Sequence, residues 1–248
     1  MTTHLIDQKT VDYSIESAIA KVFASELAWE AVDENVQIWG GSGYMKEYPY
    51  ERWLRDTRIN RIFEGTNEIL RAFIALSGMQ GPGQELAGLA ESIRYPLQGL
   101  GLVSGYATRK IKQTVMGENI TSAHPSLKKF ASLVEDYAVD FNGRVEEALR
   151  RHGKKIYLAQ RAQKRIADIA IDLYGMLCVL SRLTADIQEQ GSPEAAQPQI
   201  DAAKIFFTKA SRRIDSNLER MSRNIDTEIH RFAEHLFQQE NYEFRLFK

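Results

Sequence analysis

The chain has 248 residues, 44% of them hydrophobic, enough to bury the core of one large or two modest domains, so a globular protein is expected. Its 32 basic and 33 acidic residues leave a formal charge of −1, which argues against a general electrostatic pull toward nucleic acid while leaving a local basic patch open. The single cysteine, Cys178, excludes an intramolecular disulfide and points to a reducing compartment such as a cytoplasm or a mitochondrial matrix.

Helical periodicity dominates, and no stretch shows convincing strand alternation, so an all-α fold is expected. The first long helix is placed from an N-cap near Asp12 to a stop at Gly40-Gly41, with Ile15, Ala18, Val22, Trp29, Val32 and Val36 on one face. The turn GGSGYMKEYP leads into a short helix around Tyr50 to Asp56. Thr66 is then a good N-cap for a helix whose buried face would be Ile69, Leu70, Phe73 and Ile74, ending at Gly78. The run SGMQGPG reads as a linker, which places a domain boundary between residues 80 and 81.

Beyond it, helical patterns cover Gln84 to Arg94 and Leu97 to Met116, and GENITSA reads as a polar connection. Leu127, Phe130, Val134, Tyr137, Phe141, Val145 and Leu149 recur at helical spacing, as do Ile166, Ile169, Leu173, Leu177, Leu180 and Ile187. GSPEAAQP marks a loop. Two further stripes follow, first Ile200, Ala203, Phe207, Ala210, Ile214, Leu218 and Met221, then Ile225, Ile229, Phe232 and Leu236. All read as core, and Cys178, inside MLCVL, reads as a packed core thiol. No run of about 18 apolar residues is present, which argues against a membrane span.

Few residues are candidates for chemistry. His230 and His235 are five apart and do not share a helix face as an i, i+4 pair would, and the other histidines are isolated, so no metal site is expected. GGSGY lacks the flanking strand of a dinucleotide fingerprint and, alone, is a helix stop and turn. Glu64 stands out in RIFEGTNEIL. It follows the apolar Ile62 and Phe63, which would favour an uncharged carboxyl, and precedes Gly65, which allows close approach by a substrate. Such a group can act as a general base. The amides after Thr66 form a helix start able to receive an electron-rich group. A structural role stays open, since Glu64 could favour the helix N-terminus or pair with Arg58 or Arg61.

Taken together, QIWGGSGYMKEYPYERWLRDTRINRIFEGTNEILR, Gln37 to Arg71, resembles the C-terminal signature of the acyl-CoA dehydrogenases. Glutamine, the double glycine, RDTR and the EGT box occur in order at that family's spacing, and the very-long-chain branch is the most similar. The resemblance runs strongly from Asp7 to Gly83 and more loosely through IDLYGMLCVLSR. It implies the second half of the family's C-terminal helical bundle in residues 1–80, and the helical extension of that branch in residues 81–248. It further implies an excised C-terminal portion, because the family's N-terminal helical domain and middle β-domain are not encoded here.

The resemblance also implies roles. Glu64 matches the base that removes the α-proton of an acyl-CoA thioester while the β-hydrogen leaves as hydride to FAD. Gly65 matches a substrate-contacting position. Thr66, Asn67 and Glu68 match a segment touching FAD of the same active site, although several shorter-chain members carry glutamine where this chain has Glu68. Gln37, Ile38, Trp39, Gly40 and Gly41 match the stretch that reaches the FAD of the neighbouring subunit, which implies a homodimer. Electron-transfer flavoprotein is the implied electron acceptor. The setting is a cytoplasm or inner membrane in a bacterium, or a mitochondrial matrix or inner membrane in a eukaryote. Residues 95–116, with Leu97, Leu100, Leu102 and Val103 beside Arg109, Lys110 and Lys112, suit either a peripheral membrane contact or an ordinary amphipathic helix. A helical interaction or assembly module is the alternative to catalysis. The chain alone is expected to bind FAD weakly or not at all.

Overall fold

A computed structural model describes residues 1–9, 12–84 and 119–239. Among them there are helices and no strands. Helix α1 (Thr2–Gln8) is short; α2 (Ser14–Trp39), α3 (Tyr50–Arg58) and α4 (Asn67–Gly78) form the first region. The second contains α5 (Lys128–His152), α6 (Gln160–Gln190), α7 (Gln197–Ser222) and α8 (Asp226–Gln239). Short 3-10 turns join several of these, at Gly40–Tyr44, Ile59–Arg61, Pro125–Leu127 and Gly153–Leu158.

The ends follow local chemistry. Asp12 lies just before α2 rather than at its N-cap, which is Tyr13, yet its Oδ1 accepts from the Ser14 backbone N–H at 2.9 Å and from the Ser14 hydroxyl. Gly40 ends α2 at φ 56, and Gly191 ends α6 at φ 81, backbone angles that a side chain would resist. Thr66 caps α4, its hydroxyl oxygen accepting from the Ile69 N–H at 3.3 Å.

Helix α6 is the hub, packing against α2, α4, α5 and α7. Ile166, Ile169 and Met176 on α6 meet Phe207 and Ile214 on α7, and Val22 on α2, Ile74 on α4 and Met79 belong to the same apolar cluster. The cluster thus runs across the boundary expected at residues 80 and 81. The Gly-Pro run expected as a linker differs from expectation: Met79 is 4% exposed, and residues 80–84 are helical. Gly175 lets α7 approach closely, since a Cβ there would stand 3.0 Å from the Phe206 ring. The Phe206 ring in turn meets Phe23 of α2 edge-on at 6.3 Å. A second, smaller cluster of Leu127, Leu180, Leu183, Ile187 and Ala203 closes the other end of α5, α6 and α7.

Several stripes expected to be core are only partly so. On α4, Ile74 is buried, whereas Ile69 is 65% and Phe73 40% exposed. Ile225, just before α8, and Ile229 and Phe232 on it are exposed. Trp29, Val32 and Val36 are half-buried, because the far half of α2 has no helix over one side among the described residues. Cys178 is also half-buried, its thiol 3.6 Å from the Met1 sulfur, and burial raises its pKa. The expected helices over 84–116, including the candidate membrane segment 95–116, lie outside the described residues. No described helix is long and apolar enough to cross a membrane.

Candidate active site

The loop between α3 and α4 holds the EGT residues. Ile62 N–H bonds to the Ile59 carbonyl at 2.8 Å, which closes the 3-10 turn, Phe63 N–H reaches the same carbonyl at 3.1 Å, and the chain then reverses through two left-handed residues, Glu64 at φ 54 and Gly65 at φ 87. The left-handed region suits glycine but costs a residue with a Cβ about 1 to 2 kcal/mol. A conformation of that kind persists only where surrounding contacts hold it, and such sites cluster where a side chain must be aimed.

The holding contacts come from α2. Lys21 Nζ donates to the Gly65 carbonyl at 2.8 Å and to Asn67 Oδ1 at 2.8 Å. Asn67 is 1% exposed, and its amide donates to Ser25 Oγ at 3.0 Å and to Glu26 Oε1 at 3.2 Å. One turn further along α4, Arg71 forks onto both Glu26 oxygens at 2.7 Å and donates through Nε to Asp168 of α6 at 2.6 Å. Burial alone would raise the pKa of Glu26, but the hydrogen bonds and charge of Arg71, with Asn67 and Arg61, outweigh it and hold the carboxyl below its ordinary range. Burial works against the Arg71 charge, and its two carboxylate partners reverse that effect and hold it charged more firmly than usual.

Glu64 itself is exposed, as are Ile62 and Phe63 at 48% each, so the apolar wall expected around the carboxyl is not completed by the described residues. Gly65 and Glu68 are exposed and Thr66 is half-buried. Asn67 is turned inward, and its side-chain amide is engaged by Lys21, Ser25 and Glu26. Neither Arg58 nor Arg61 forms an ion pair with Glu64 among the described residues: Arg58 stacks over the Trp29 ring at 5.7 Å, and Arg61 Nε is buried with no hydrogen-bond partner.

Gln37, Ile38, Trp39, Gly40 and Gly41 lie elsewhere. All five are exposed, Ile38 at 78% and Trp39 at 44%. Asn67 meets α2 at Ser25, and at about 1.5 Å of rise per residue Trp39 lies roughly 20 Å further along the helix axis. One chain therefore does not gather the two groups into one pocket. Trp39 opens an aromatic stack with Tyr48 at 5.2 Å and Tyr50 at 4.9 Å, and Trp53 meets Tyr50 edge-on at 5.4 Å. Gly43 permits this turn, since a Cβ would fall 2.7 Å from the Val36 carbonyl oxygen, while Gly40 and Gly41 leave open space where a Cβ would stand.

Two other features lie away from these residues. A groove of about 970 Å³ between α2, α6 and α7 is lined by Phe23, Glu30, Asp172, Phe206 and Arg213 among others. His230 pairs with Glu234 at 3.2 Å, and no group of three metal-ligating residues occurs among the described residues.

A capped helix start beneath a strained glutamate, joined to an all-helical extension, defines a class once the chain is compared with known proteins. Residues 2–79 match the acyl-CoA dehydrogenase C-terminal domain, and residues 125–242 match the C-terminal domain shared by ACAD9 and ACADV. The chain belongs to the acyl-CoA dehydrogenase family and is homologous to the C-terminal part of its very-long-chain members. It is 41% identical over 223 residues to the mitochondrial very-long-chain specific acyl-CoA dehydrogenase of Rattus norvegicus, covering 88% of this chain and 34% of the relative. The Homo sapiens counterpart is 43% identical over 199 residues, covering 79% of this chain and 30% of that protein. A crystal structure of an acyl-CoA dehydrogenase complexed with FAD from Bacillus anthracis matches with a TM-score of 0.65 and 27% identity, over 93% of this chain and 37% of that one. The chain thus spans about a third of the length of these relatives.

Proposed function

We propose that the chain forms the C-terminal part of an FAD-dependent acyl-CoA dehydrogenase. In this reading, the enzyme converts long- or very-long-chain acyl-CoA to the trans-2-enoyl-CoA during fatty acid β-oxidation. The observation that carries the proposal is the conformation of Glu64: a carboxylate on a left-handed backbone, with the next carbonyl tied down by Lys21 and a capped helix following.

Glu64 takes the α-proton of the thioester. That proton is weakly acidic, so the base must act where water is excluded and where enolate charge is stabilised. Bound FAD supplies the oxidant that accepts the β-hydrogen as hydride. The protons and electrons balance: one proton goes to the carboxylate, one hydride to the cofactor, and a Cα–Cβ double bond remains.

The chain's own residues suit the edges of such a site. Gly65 gives the substrate room beside the base, and Thr66 and Glu68 present the start of α4, with Asn67 contributing through its backbone. The open backbone at Gly40 and Gly41 and the exposed Trp39 can approach a second flavin edge, and their displacement of roughly 20 Å along α2 fits a flavin held by a neighbouring subunit in a homodimer. Electrons would leave through electron-transfer flavoprotein. A mitochondrial setting, carried from the names of the mammalian relatives, applies if the source is a eukaryote.

The test is Glu64→Gln in the flavoenzyme that carries this chain. Dehydrogenation of palmitoyl-CoA should fall by about a hundredfold to ten-thousandfold, as expected for loss of a general base, with flavin content and enoyl-CoA binding retained. Retained turnover would remove Glu64 from the chemistry.

A further inference from the structure

We infer that Asp168, in the extension, is a positioning residue for Glu64, acting through a continuous line of polar contacts that crosses from α6 to the catalytic loop. For its functional meaning this rests on the reading of Glu64 as the base; its physical content does not.

Asp168 Oδ1 receives Arg71 Nε at 2.6 Å, while its other oxygen receives Lys164. Arg71 spends its remaining fork on Glu26. Glu26 Oε1 is shared between Arg71 and the Asn67 amide. Asn67 Oδ1 receives Lys21, and the same ammonium holds the carbonyl of Gly65, the residue that follows Glu64. The Arg71, Asp168 and Glu26 side chains are only 11%, 16% and 34% exposed, so water cannot readily replace a lost partner along the middle of the line.

The line ends where the backbone most needs holding. Glu64 and Gly65 are both left-handed, and the glutamate is a residue that avoids that region. Lys21 restrains the loop only if Asn67 is itself fixed, Asn67 is oriented by Glu26 and Ser25, and Glu26 is pinned by Arg71. Without Asp168, Arg71 keeps a single carboxylate and can swing about it. The extension thus supplies the far anchor for the aim of the base, a function beyond packing over the first region.

The experiment uses the purified 248-residue chain and two local probes: the resonance of the Thr66 amide, which adjoins the Gly65 carbonyl, and hydrogen exchange at Ile69 and Leu70, which bond to Thr66. Asp168→Asn should move the Thr66 resonance and speed exchange at Ile69 and Leu70 about tenfold, the scale expected for loss of a charge-assisted bond, with exchange along α5 unchanged. Lys21→Met should do the same, and the double variant should add little to either, because both cut one line. Arg144→Ala, which removes a pair between α5 and its surroundings, should leave all three amides as they are. Should Asp168→Asn fail to fold, Arg71→Lys, which keeps the charge and loses the fork, serves in its place with the same expected shifts. Wild-type values at Thr66, Ile69 and Leu70 in the folded Asp168 or Arg71 variant, or changes confined to α6 and α7, would overturn the proposal. Neither result bears on Glu64→Gln activity, so the two readings can fail separately.

Discussion

The two regions of the chain use similar helices to opposite ends. From α5 to α7, apolar stripes meet each other: Ile169, Met176, Phe207 and Ile214 are each no more than 2% exposed, and two clusters close both ends of the packed helices. Around α2 to α4, one side packs onto α6 while the other presents Ile38, Trp39, Met45, Trp53, Phe63 and Ile69 to the outside, each more than 40% exposed. Scattered exposed apolar residues need no explanation, but so many large ones on one side, Phe63 and Ile69 near Glu64 and Ile38 and Trp39 at the far end of α2, suit a surface that another body covers. Among the described residues, α5 to α7 bury their apolar stripes against one another and against α2 and α4, whereas the region of α2 to α4 is covered on one side only.

Mutations sharpen that contrast. Phe207→Ala empties a closed site and should cost the isolated chain about 3 to 5 kcal/mol, measured by urea unfolding. A cost under about 1 kcal/mol would mean that the second region is less well packed than its burial indicates. Next in size is Asp226→Ala at the start of α8, whose carboxylate holds both Arg165 nitrogens, at 2.6 and 2.7 Å. Loss of this partly buried fork should cost about 1 to 3 kcal/mol.

The same carboxyl sets a pH dependence. The hydrogen bond from Arg165 lowers the Asp226 pKa, and Arg71 does the same for Glu26 after opposing burial. Both titrate below their unfolded values, so the unfolded chain takes up protons first. The stability they contribute is present at neutral pH and disappears as the pH falls from about 5 through the folded values. Asp226→Asn should flatten that acid limb in urea midpoints, and an unchanged slope would remove the pair from the account.

Two smaller effects lie on α4. Thr66→Ala should lose about 1 kcal/mol with the cap. Ile69→Ala, at a 65% exposed position, should stay within about 0.5 kcal/mol in this chain. A cost as large as that of Phe207→Ala would show that Ile69 is covered already and would erase the difference between the regions.

What could be read from the residues divides along the same line. The stop of α2 at Gly40, the Thr66 cap and the stripes of α5 to α7 were legible, because capping and helical spacing are local. The exposure of Ile69 and Phe73 was not: periodicity identifies an apolar face without saying which body covers it. The SGMQGPG run shows the same limit of local punctuation: α4 does end at Gly78, but Met79 is drawn into the core and residues 80–84 are helical. In the site, Glu64 was visible through its neighbours and its family signature, whereas its left-handed backbone and its exposure were not. The Arg71 network joins residues 45 and 97 positions apart, a distance at which spacing carries no signal. Asn67 shows the same limit: matched to a cofactor-touching segment, its side chain faces inward onto α2.

The central claim, that Glu64 is the proton acceptor, is tested most directly by isolating its half of the reaction. A 3-thia acyl-CoA has an acidic α-position and no β-hydrogen to lose, so only proton removal can proceed. In deuterium oxide, the flavoenzyme carrying this chain should exchange the α-protons of the bound analogue, as read by mass spectrometry. Glu64→Gln should bind the analogue equally and exchange it at least about a hundredfold more slowly. Exchange at the wild-type rate in the Glu64→Gln protein would contradict the account.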